Sequence, residues 1–379
     1  MYTVEKLQSL AKANKSRLLN YFYFGKHKLN KQLEVLKRHE LNALLFLTID
    51  KPMELRSFLK CSFFMLEETI NNPSYKRYSI AKKKGGAREI FAPSKDLKAI
   101  QKRLNYFLQA YYLSIKPSEV HGFVVKPNYL KTYCNIVANA TAHVHKKYVL
   151  NIDLKDFFPS ISASRVKHVF TSAYFNFNEQ IATAFTLLST FEGKLPIGAP
   201  CSPVISNFIC LPLDSDLKAF CNIHQLTYSR YADDLTFSAD AKIDVDTILD
   251  IINVITNNNF TINEKKLRLK SSNRKQTVTG LTVNEKVNVD RKLLKKIRAM
   301  LHDFSTNGID IATQRHFRLK TEIEALHKTK FTNRLEGYIN FIGQVKGKED
   351  ALYIKYKSTF DKMVDNGEKP SLVKNNGYK

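Results

Sequence analysis

Two adjacent aspartates interrupt a strand-forming stretch, and this interruption is the strongest single constraint on the fold. The stretch RYADDLTFSA (230–239) is otherwise rich in residues that favour strands. One continuous strand would point Asp233 and Asp234 to opposite faces of a sheet. We therefore predict a tight hairpin turn at the pair, with both carboxylates at its tip. An ordinary solvated turn and a site that uses carboxylates are both compatible with this pattern.

A third carboxylate is predicted to lie near this turn. The segment KKYVLNIDLKDFFPSIS (146–162) predicts a strand that ends near Asp153, followed by a turn and a helix. Adjacent strands would place Asp153 beside Asp233 and Asp234. Clustered carboxylates raise one another's pKa values, and two Mg²⁺ ions about 4 Å apart would remove that penalty. The three acids therefore predict a metal site for nucleotidyl transfer.

The charge balance predicts a polyanionic partner. The 379 residues include 60 lysines and arginines against 35 aspartates and glutamates, a formal net charge of +25. Nucleic acid is the usual partner of such a chain. Basic residues are concentrated in residues 75–105 and again in 291–379. We therefore expect a groove that grips a nucleic-acid backbone along its length, and not a single basic tail.

The sequence argues against a role in a membrane or outside the cell. No apolar run reaches 18 residues, and the N-terminal segment lacks the continuous apolar run of a signal peptide. Five scattered cysteines without a CxxC pair argue against a disulfide framework and a zinc site. We expect free thiols and a cytoplasmic protein without a membrane partner.

The order of predicted elements favours an α+β fold. Residues 1–70 are predicted to be helical, and residues 71–94 to form two strands joined by a glycine turn. The strand before Asp153, a helical region, the aspartate hairpin and another helix follow in that order. Two more strands are predicted with a turn near residues 284–286, and residues 291–379 are predicted to be mostly helical.

Four motifs in register resemble those of reverse transcriptases. YADD (231–234) resembles the active-site motif, and NIDLKDFFPSIS (151–162) resembles the preceding palm motif, with Asp153 at the position of its metal-binding acid. KLPIGAPCSPVISNFIC (194–210) resembles the loop and helix between them, and YSIAKKKGGAREIFAPS (78–94) resembles the fingers hairpin. The resemblance implies catalysis by the three aspartates through two Mg²⁺ ions, which Mn²⁺ can replace, with dNTPs as substrates.

The resemblance also implies the architecture, a right-hand polymerase whose palm is an antiparallel sheet and whose N- and C-terminal regions are helical. Its expected parts are an N-terminal helical region (1–70), fingers (71–150), a palm (151–290) with part of the fingers in 163–200, and a thumb with a C-terminal RNA-binding region (291–379).

Two short elements resemble those that mark retron reverse transcriptases. NATAH (139–143) is similar to the NAxxH element and VTG (278–280) to the VTG element, and each lies where the retron pattern has it. Retron enzymes use a structured noncoding RNA as primer and template and extend from one of its 2′-hydroxyls. The product is a branched RNA–DNA molecule, msDNA. The resemblance therefore also implies an effector protein and a role in phage defence.

The family's nucleotide contacts fall on a few positions of this chain. Phe158 lies at the position where the family has an aromatic ring that underlies the incoming sugar and excludes a 2′-hydroxyl. An ordinary phenylalanine of the hydrophobic core is the alternative for this position. Lys82 and Arg88 lie where residues contact the triphosphate, for which arginine offers a planar fork. Tyr231 is expected near the primer end. Ile197 is a departure, because many relatives have a glutamine there whose amide can hydrogen-bond the nucleotide.

The RNA contacts implied by the resemblance fall in three places. Asn139 and His143 in NATAH and Thr279 in VTG are candidates, although a buried histidine is often only structural. The segment RKLLKKIRAMLHDF (291–304) predicts a helix with one apolar face. Its opposite face carries the residues expected to lie along a duplex backbone: Lys292, Lys295, Lys296 and Arg298. A solvated charged face is the alternative for this helix.

Three functions remain open at the level of sequence. A retron reverse transcriptase is the first. Another bacterial reverse transcriptase, defence-associated or similar to those of group II introns, is the second, and the NATAH and VTG elements argue against it. A non-catalytic RNA-binding protein on a polymerase fold is the third, and the three intact acids argue against it.

Overall fold

The chain forms two compact units in a computed structural model that describes residues 3–25, 29–81, 85–125, 128, 130, 134–319 and 323–365. The first unit contains Met1–Asn139 and Tyr148–Leu269, and the second contains Ala140–Lys147 and Lys270–Lys379. Lys82 lies outside the described residues. The division into fingers, palm and thumb stays a prediction.

The N-terminal region of the first unit is helical, as predicted. Its helices are α1 (Val4–Ala13), α2 (Lys15–Phe24), α3 (Lys31–Glu34), α4 (Arg38–Leu47), α5 (Pro52–Leu59) and α6 (Phe63–Asn71). Side-chain caps fix the starts of α1 and α6, since Thr3 accepts from the amide of Lys6 and Ser62 accepts from that of Met65. Their buried leucines and phenylalanines belong to the hydrophobic core of this unit.

A two-stranded ribbon and a long helix follow. Strands β1 (Tyr75–Ala81) and β2 (Ala87–Pro93) pair antiparallel, which confirms the predicted hairpin. Helix α7 (Lys95–Ile115) packs on α4, with the rings of Phe46 and Phe107 stacked 6.0 Å apart. The ribbon is mostly exposed, whereas α7 is anchored in the core.

A four-stranded sheet carries the aspartates. Its strands are β3 (Tyr148–Asp153), β4 (Thr227–Tyr231), β5 (Asp234–Ala239) and β6 (Arg268–Ser271), in the order β4-β5-β3-β6. The pairs β3–β5 and β4–β5 are antiparallel. The helices between the strands are α9 (Ala163–Thr171), α10 (Glu179–Ser189), α11 (Ser202–Ile209), α12 (Leu211–Ile223) and α13 (Val245–Asn257). β5 is buried along its length after Asp234, so helices must cover the sheet.

The second unit is a small hairpin with three helices. Helix α8 (Ile136–Thr141) enters it, and the rest consists of β7 (Thr277–Val278), β8 (Leu281–Thr282), α14 (Arg291–Phe317), α15 (Ala325–Lys346) and α16 (Ala351–Asp365). The chain of α14 kinks at Gly308, whose φ is 75°. Within the described part of the chain, no helix is long and apolar enough to cross a membrane.

The chain reverses twice in the segment that was predicted to hold one turn. The first reversal, between β7 and β8 at Thr279-Gly280, where φ is 47° and 83°, was not predicted. Two successive positive φ values are those of a type I′ hairpin turn, which glycine adopts at no steric cost. The predicted turn is also present, because residues 284–286 form a bend across which Thr282 and Asn288 pair antiparallel.

Candidate active site

The three aspartates meet at one end of the four-stranded sheet. Asp153 is the last residue of β3 and Asp234 is the first residue of β5, and the two are register partners. The ladder continues one step further, because the amide of Leu154 donates to the carbonyl of Asp233 at 3.0 Å. Pairing of β3 with β5 therefore brings together acids that lie about 80 residues apart in the chain.

The turn that carries Asp233 is tighter than predicted. Tyr231 pairs with Asp234, so the loop between β4 and β5 contains only Ala232 and Asp233. The φ of Ala232 is 60°, which is uncommon for a residue other than glycine. A positive φ at this residue is the one required at the first central position of a type II′ turn. The prediction that both acids lie at the tip is wrong for Asp234, which begins β5, and right for Asp233.

Each of these acids makes the ionised form of its neighbours less favourable. Burial raises the pKa of Asp233, and the nearby Asp153 raises it further. Asp234 reaches solvent at the end of β5, but partial desolvation and repulsion from Asp233 and Asp153 raise its pKa to about 6. Cations placed here would remove this repulsion.

Lys266 supplies one such cation, and sequence reasoning missed it. Its ammonium lies 2.7 Å from Oδ1 and 2.8 Å from Oδ2 of Asp153. The amide of Asn263 donates to the Asp153 carbonyl at 2.7 Å and so starts the short 3₁₀ turn Glu264–Lys266 beside the end of β3. Lys266 lies 113 positions from Asp153, and no sequence pattern relates residues that far apart. The sequence also gave no reason to prefer Lys266 over the adjacent Lys265.

The donor set fits a divalent cation. Within the described residues, no group of three acid, histidine or cysteine side chains is arranged to hold a metal ion as it stands. The carboxylate of Asp153 instead holds the Lys266 ammonium, which stands in for a metal cation. Carboxylate oxygens that repel one another and that already attract a cation are the donors that Mg²⁺ or Mn²⁺ binds.

A cleft of about 610 Å³ brings two of the predicted nucleotide contacts, Arg88 and Phe158, together with two of the acids. Its lining includes Asp153 and Asp233 together with Lys266, Arg88, Phe158 and Ile197. Arg88 is exposed on β2, and its charge lowers the pKa of Asp233 against the larger effect of burial. An anionic ligand in this cleft would therefore meet a guanidinium on one side and the acids on the other.

The loop that contains Ile197 is tied to the ribbon. The amide of Phe91 donates to the Ile197 carbonyl at 2.7 Å. Gly198, at φ of 117°, lies so close to β2 that a Cβ there would be 2.8 Å from the Phe91 carbonyl oxygen. The backbone of this loop is thus fixed against the strand that carries Arg88, whatever the side chain at position 197.

Phe158 and Tyr231 lie near the acids in different ways. The ring of Phe158 is half-buried, lines the cleft and packs 5.3 Å from Phe157 and 5.7 Å from Phe123. Tyr231 is half-buried at the end of β4 as the partner of Asp234. Phe158 is thus positioned inside the cleft, whereas Tyr231 flanks the turn.

The remaining predicted residues are distributed over both units. Asn139 ends the first unit and is fully buried, and its amide nitrogen and oxygen have no hydrogen-bond partner among the described residues. His143 is fully buried and Thr279 occupies the β7–β8 turn, both in the second unit. The basic side chains Lys292, Lys295, Lys296 and Arg298 are exposed on α14. Ile297 and Met300 on the same helix are buried, as the two-faced pattern predicts.

Comparisons with known proteins identify the family. A family model described as reverse transcriptase (RNA-dependent DNA polymerase) matches residues 80–283. The retron Ec86 reverse transcriptase of Escherichia coli is 33% identical over 293 residues, which cover 76% of this chain and 82% of that protein. The chain belongs to the retron reverse transcriptases.

Other retron reverse transcriptases agree with this assignment. Retron Ec73 reverse transcriptase of Escherichia coli is 35% identical over 60% of this chain and 74% of that protein. Retron Mx65 reverse transcriptase of Myxococcus xanthus is 32% identical over 60% of this chain and 55% of that protein. Among solved structures, telomerase from Candida albicans with a fragment of telomeric RNA aligns at a TM-score of 0.41 and 10% identity, over 78% of this chain and 64% of that chain.

Membership decides between the functions that the sequence left open. The retron reverse transcriptase is an RNA-directed DNA polymerase, as predicted, and not a non-catalytic RNA-binding protein. The predicted α+β polymerase fold, with an antiparallel sheet and helical ends, is confirmed. The family as a whole uses divalent metal ions.

Proposed function

We propose that this retron reverse transcriptase adds deoxynucleotides at a site built from Asp153, Asp233 and Asp234, which hold two Mg²⁺ ions. The convergence of the three acids at the β3–β5 edge, two of which line one cleft with Arg88, carries this proposal. When bound, the ions lower the pKa of the attacking hydroxyl and stabilise the leaving oxygen. Mn²⁺, which also accepts carboxylate ligands, can substitute.

The side chains of the cleft then orient the nucleotide. Arg88 presents a planar fork to the triphosphate oxygens, and Lys82, which lies outside the described residues, adds a second cation. Phe158 excludes a 2′-hydroxyl from the sugar position and so selects dNTPs. Lys266 pairs with the Asp153 carboxylate and would have to release it before that carboxylate could hold an ion. Tyr231 supports the primer end beside the turn.

The template and primer are one structured noncoding RNA, and the product is msDNA extended from a 2′-hydroxyl of that RNA. The presence of the NATAH and VTG elements supports this proposal. The exposed basic face of α14, with Lys292, Lys295, Lys296 and Arg298, grips the RNA backbone. Reading of unpaired bases and RNA shape supplies the rest of the specificity.

The cellular role proposed here is phage defence together with an effector protein. The support is membership among retron enzymes, for which such systems are the expected context. We place the enzyme in the cytoplasm, because all five cysteines are free thiols.

Purification of the enzyme with its nucleic acid tests this function. We expect RNA-linked DNA to copurify with the unaltered protein, and RNA without DNA to copurify with Asp233→Asn. Digestion with ribonuclease should leave DNA that carries a short RNA stub at a branch. Linear DNA without attached RNA would contradict priming from a 2′-hydroxyl.

Initiation and elongation can be separated with three further variants, Asn139→Ala, His143→Ala and Thr279→Ala. We expect each to impair initiation on the cognate RNA more than extension of a supplied primer–template, because a 2′-hydroxyl primer must be bent into the site. An equal loss of both activities in all three variants would show that these elements only support the fold.

A further inference from the structure

A short segment after α7 contacts both the turn Tyr231–Asp234 and the Phe158 ring. The amide of Arg230 donates to the carbonyl of Glu119, and the amide of His121 donates to the carbonyl of Arg230, both at 3.0 Å. Val120 therefore bridges to Arg230 in parallel, on the free side of the edge strand β4. The two residues that follow, Gly122 and Phe123, reach the two halves of the active site.

Gly122 contacts the backbone of the turn directly. A Cβ at this position would lie 2.3 Å from the amide nitrogen of Ala232 and 2.9 Å from the carbonyl carbon of Tyr231. Both atoms are backbone, so no side-chain rotation could relieve the overlap. The requirement for glycine is therefore one of space, set by the close approach of two chain segments.

A buried polar network of Asn207, Arg230 and Asp214 also joins Gly122 to the turn Tyr231–Asp234. Asn207 donates from Nδ2 to the Gly122 carbonyl at 3.1 Å and accepts at Oδ1 from Nη1 of Arg230 at 3.0 Å. The same Nη1 donates to the Ala232 carbonyl at 3.3 Å. Asp214 holds Arg230 through two bonds of 2.7 Å. The glycine and the residue before Asp233 are thus fixed to one guanidinium.

Phe123 contacts the other half of the site. Its φ is 59°, a conformation that is unusual for a bulky residue and that persists only where the surroundings enforce it. The side chain of Gln109 does so, since its Nε2 donates to the Phe123 carbonyl at 2.9 Å and its Oε1 accepts from the amide of Val125 at 2.9 Å. The ring of Phe123 then lines the cleft 5.7 Å from that of Phe158, at an interplanar angle of 41°.

We propose that Gly122 and Phe123 are positioning residues for nucleotide addition. Gly122 fixes the backbone of the turn that presents Asp233 and Asp234, and Phe123 holds the Phe158 ring in the position that excludes a 2′-hydroxyl. Because the two are consecutive residues of one braced segment, the distance between the acids and the sugar position is set by that segment. The Phe123 part rests on the proposed role of Phe158, whereas the Gly122 part does not.

Gly122→Ala tests the first contact. We expect the single-turnover rate of dNTP addition to fall about 100-fold, since displacement of reacting groups by about 1 Å costs that much. The KM for dNTP and the affinity for RNA should change less than about threefold, because the displaced group acts in the chemical step. Gly337→Ala is the matched control, since Gly337 is exposed on α15 and a Cβ there meets nothing within 4 Å.

A fall in dNTP addition without loss of folding, measured by thermal unfolding and RNA affinity, supports the proposal. A rate within threefold of the unaltered enzyme would overturn it. If Gly122→Ala does not fold, Asn207→Ser removes the amide that holds the Gly122 carbonyl and adds no bulk at the turn. That variant should also lower the rate at an unchanged KM for dNTP, and an unchanged rate in it would equally overturn the proposal.

Phe123→Ala tests the second contact through the ratio of NTP to dNTP incorporation. We expect the ratio to rise about tenfold, the scale on which small changes of pocket volume alter specificity. Phe123→Leu is the matched control, because leucine adopts the same strained backbone but keeps most of the volume, and its ratio should change less than threefold. The pair Phe123→Ala/Phe158→Ala should give the ratio of Phe158→Ala alone, because Phe123 acts through that ring.

The outcomes separate this inference from the function on which it rests. If Phe158→Ala raises the ratio and Phe123→Ala does not, Phe158 is the gate and Phe123 does not position it. Additive effects in the double variant would show that Phe123 contacts the sugar itself, which also overturns the positioning role. If Phe158→Ala leaves the ratio unchanged, the proposed gate and the Phe123 part fail together, while the result for Gly122 is unaffected.

Discussion

Replacing Asp214 by asparagine removes one charge from a buried ion pair beside the Tyr231–Asp234 turn. Both side chains of the Asp214–Arg230 pair are 0% exposed, and Asp214 also accepts from the hydroxyl of Tyr228 at 2.8 Å. Burial alone would lower the pKa of Arg230, but the Asp214 carboxylate raises it overall, so the guanidinium stays charged. Asp214→Asn leaves that charge buried without a counter-ion. We expect a loss of about 3–5 kcal/mol in the free energy of unfolding.

Urea denaturation followed by far-ultraviolet circular dichroism measures this loss. The double variant Asp214→Leu/Arg230→Met removes both charges and should recover most of the stability, because apolar side chains of similar volume replace a buried pair at little cost. Its polymerase activity should stay low, since the bond from Arg230 to the Ala232 carbonyl is absent. Lys218→Ala is the control, because it breaks a partly exposed ion pair with Glu119 and should cost less than about 1 kcal/mol.

Two results would refute this reasoning. A loss below about 1 kcal/mol for Asp214→Asn would show that the buried charge finds another partner. A double variant as unstable as the single one would show that packing around Asp214, and not the unpaired charge, determines the loss. Recovery of activity together with stability would show that the turn does not depend on Arg230.

The other predictions concern the acids and the RNA contact. Asp233→Asn should abolish Mg²⁺-dependent extension with unchanged RNA affinity, and near-normal extension would remove Asp233 from the metal site. The pKa of Asp234 is about 6 in the folded protein, against an ordinary value of 3.8. Between these two pH values the folded protein keeps a proton on Asp234, whereas the unfolded chain has released it. The metal-free protein should therefore lose stability as pH rises from about 4 to 6, and Asp234→Asn should reduce that loss in urea denaturation with EDTA. The Mg²⁺ concentration needed for half-maximal extension should rise below about pH 6, because protons then compete for the same carboxylate. Alanine at all four basic positions of α14 should weaken binding to every structured RNA tested and lower the log–log salt slope by about 0.7–0.9 per lost phosphate contact. The four positions changed are Lys292, Lys295, Lys296 and Arg298. An unchanged salt slope in this variant would show that this face of α14 is only solvated.

The sequence alone determined the local elements and the main part of the site. Strand-forming residues predicted β3, β4 and β5, and helical spacing predicted the N-terminal helices and the two faces of α14. These signals act over a few residues, so they can be read without knowledge of the fold. Asp153, Asp233 and Asp234 could be placed together because strand ends are local features and the two strands were expected to pair. The turn at Thr279-Gly280 was missed, since a strand-like Val-Thr before the glycine concealed it.

Only the tertiary structure decided which residues surround those acids. Lys266 reaches Asp153 from 113 positions away, and Asn207 reaches Gly122 from 85 positions away. The need for glycine at position 122 arises from the backbone of Ala232, which no pattern near Gly122 records. Such contacts depend on how helices and strands pack, and packing depends on the whole chain, because burial and steric fit are properties of the assembled core and not of any short segment.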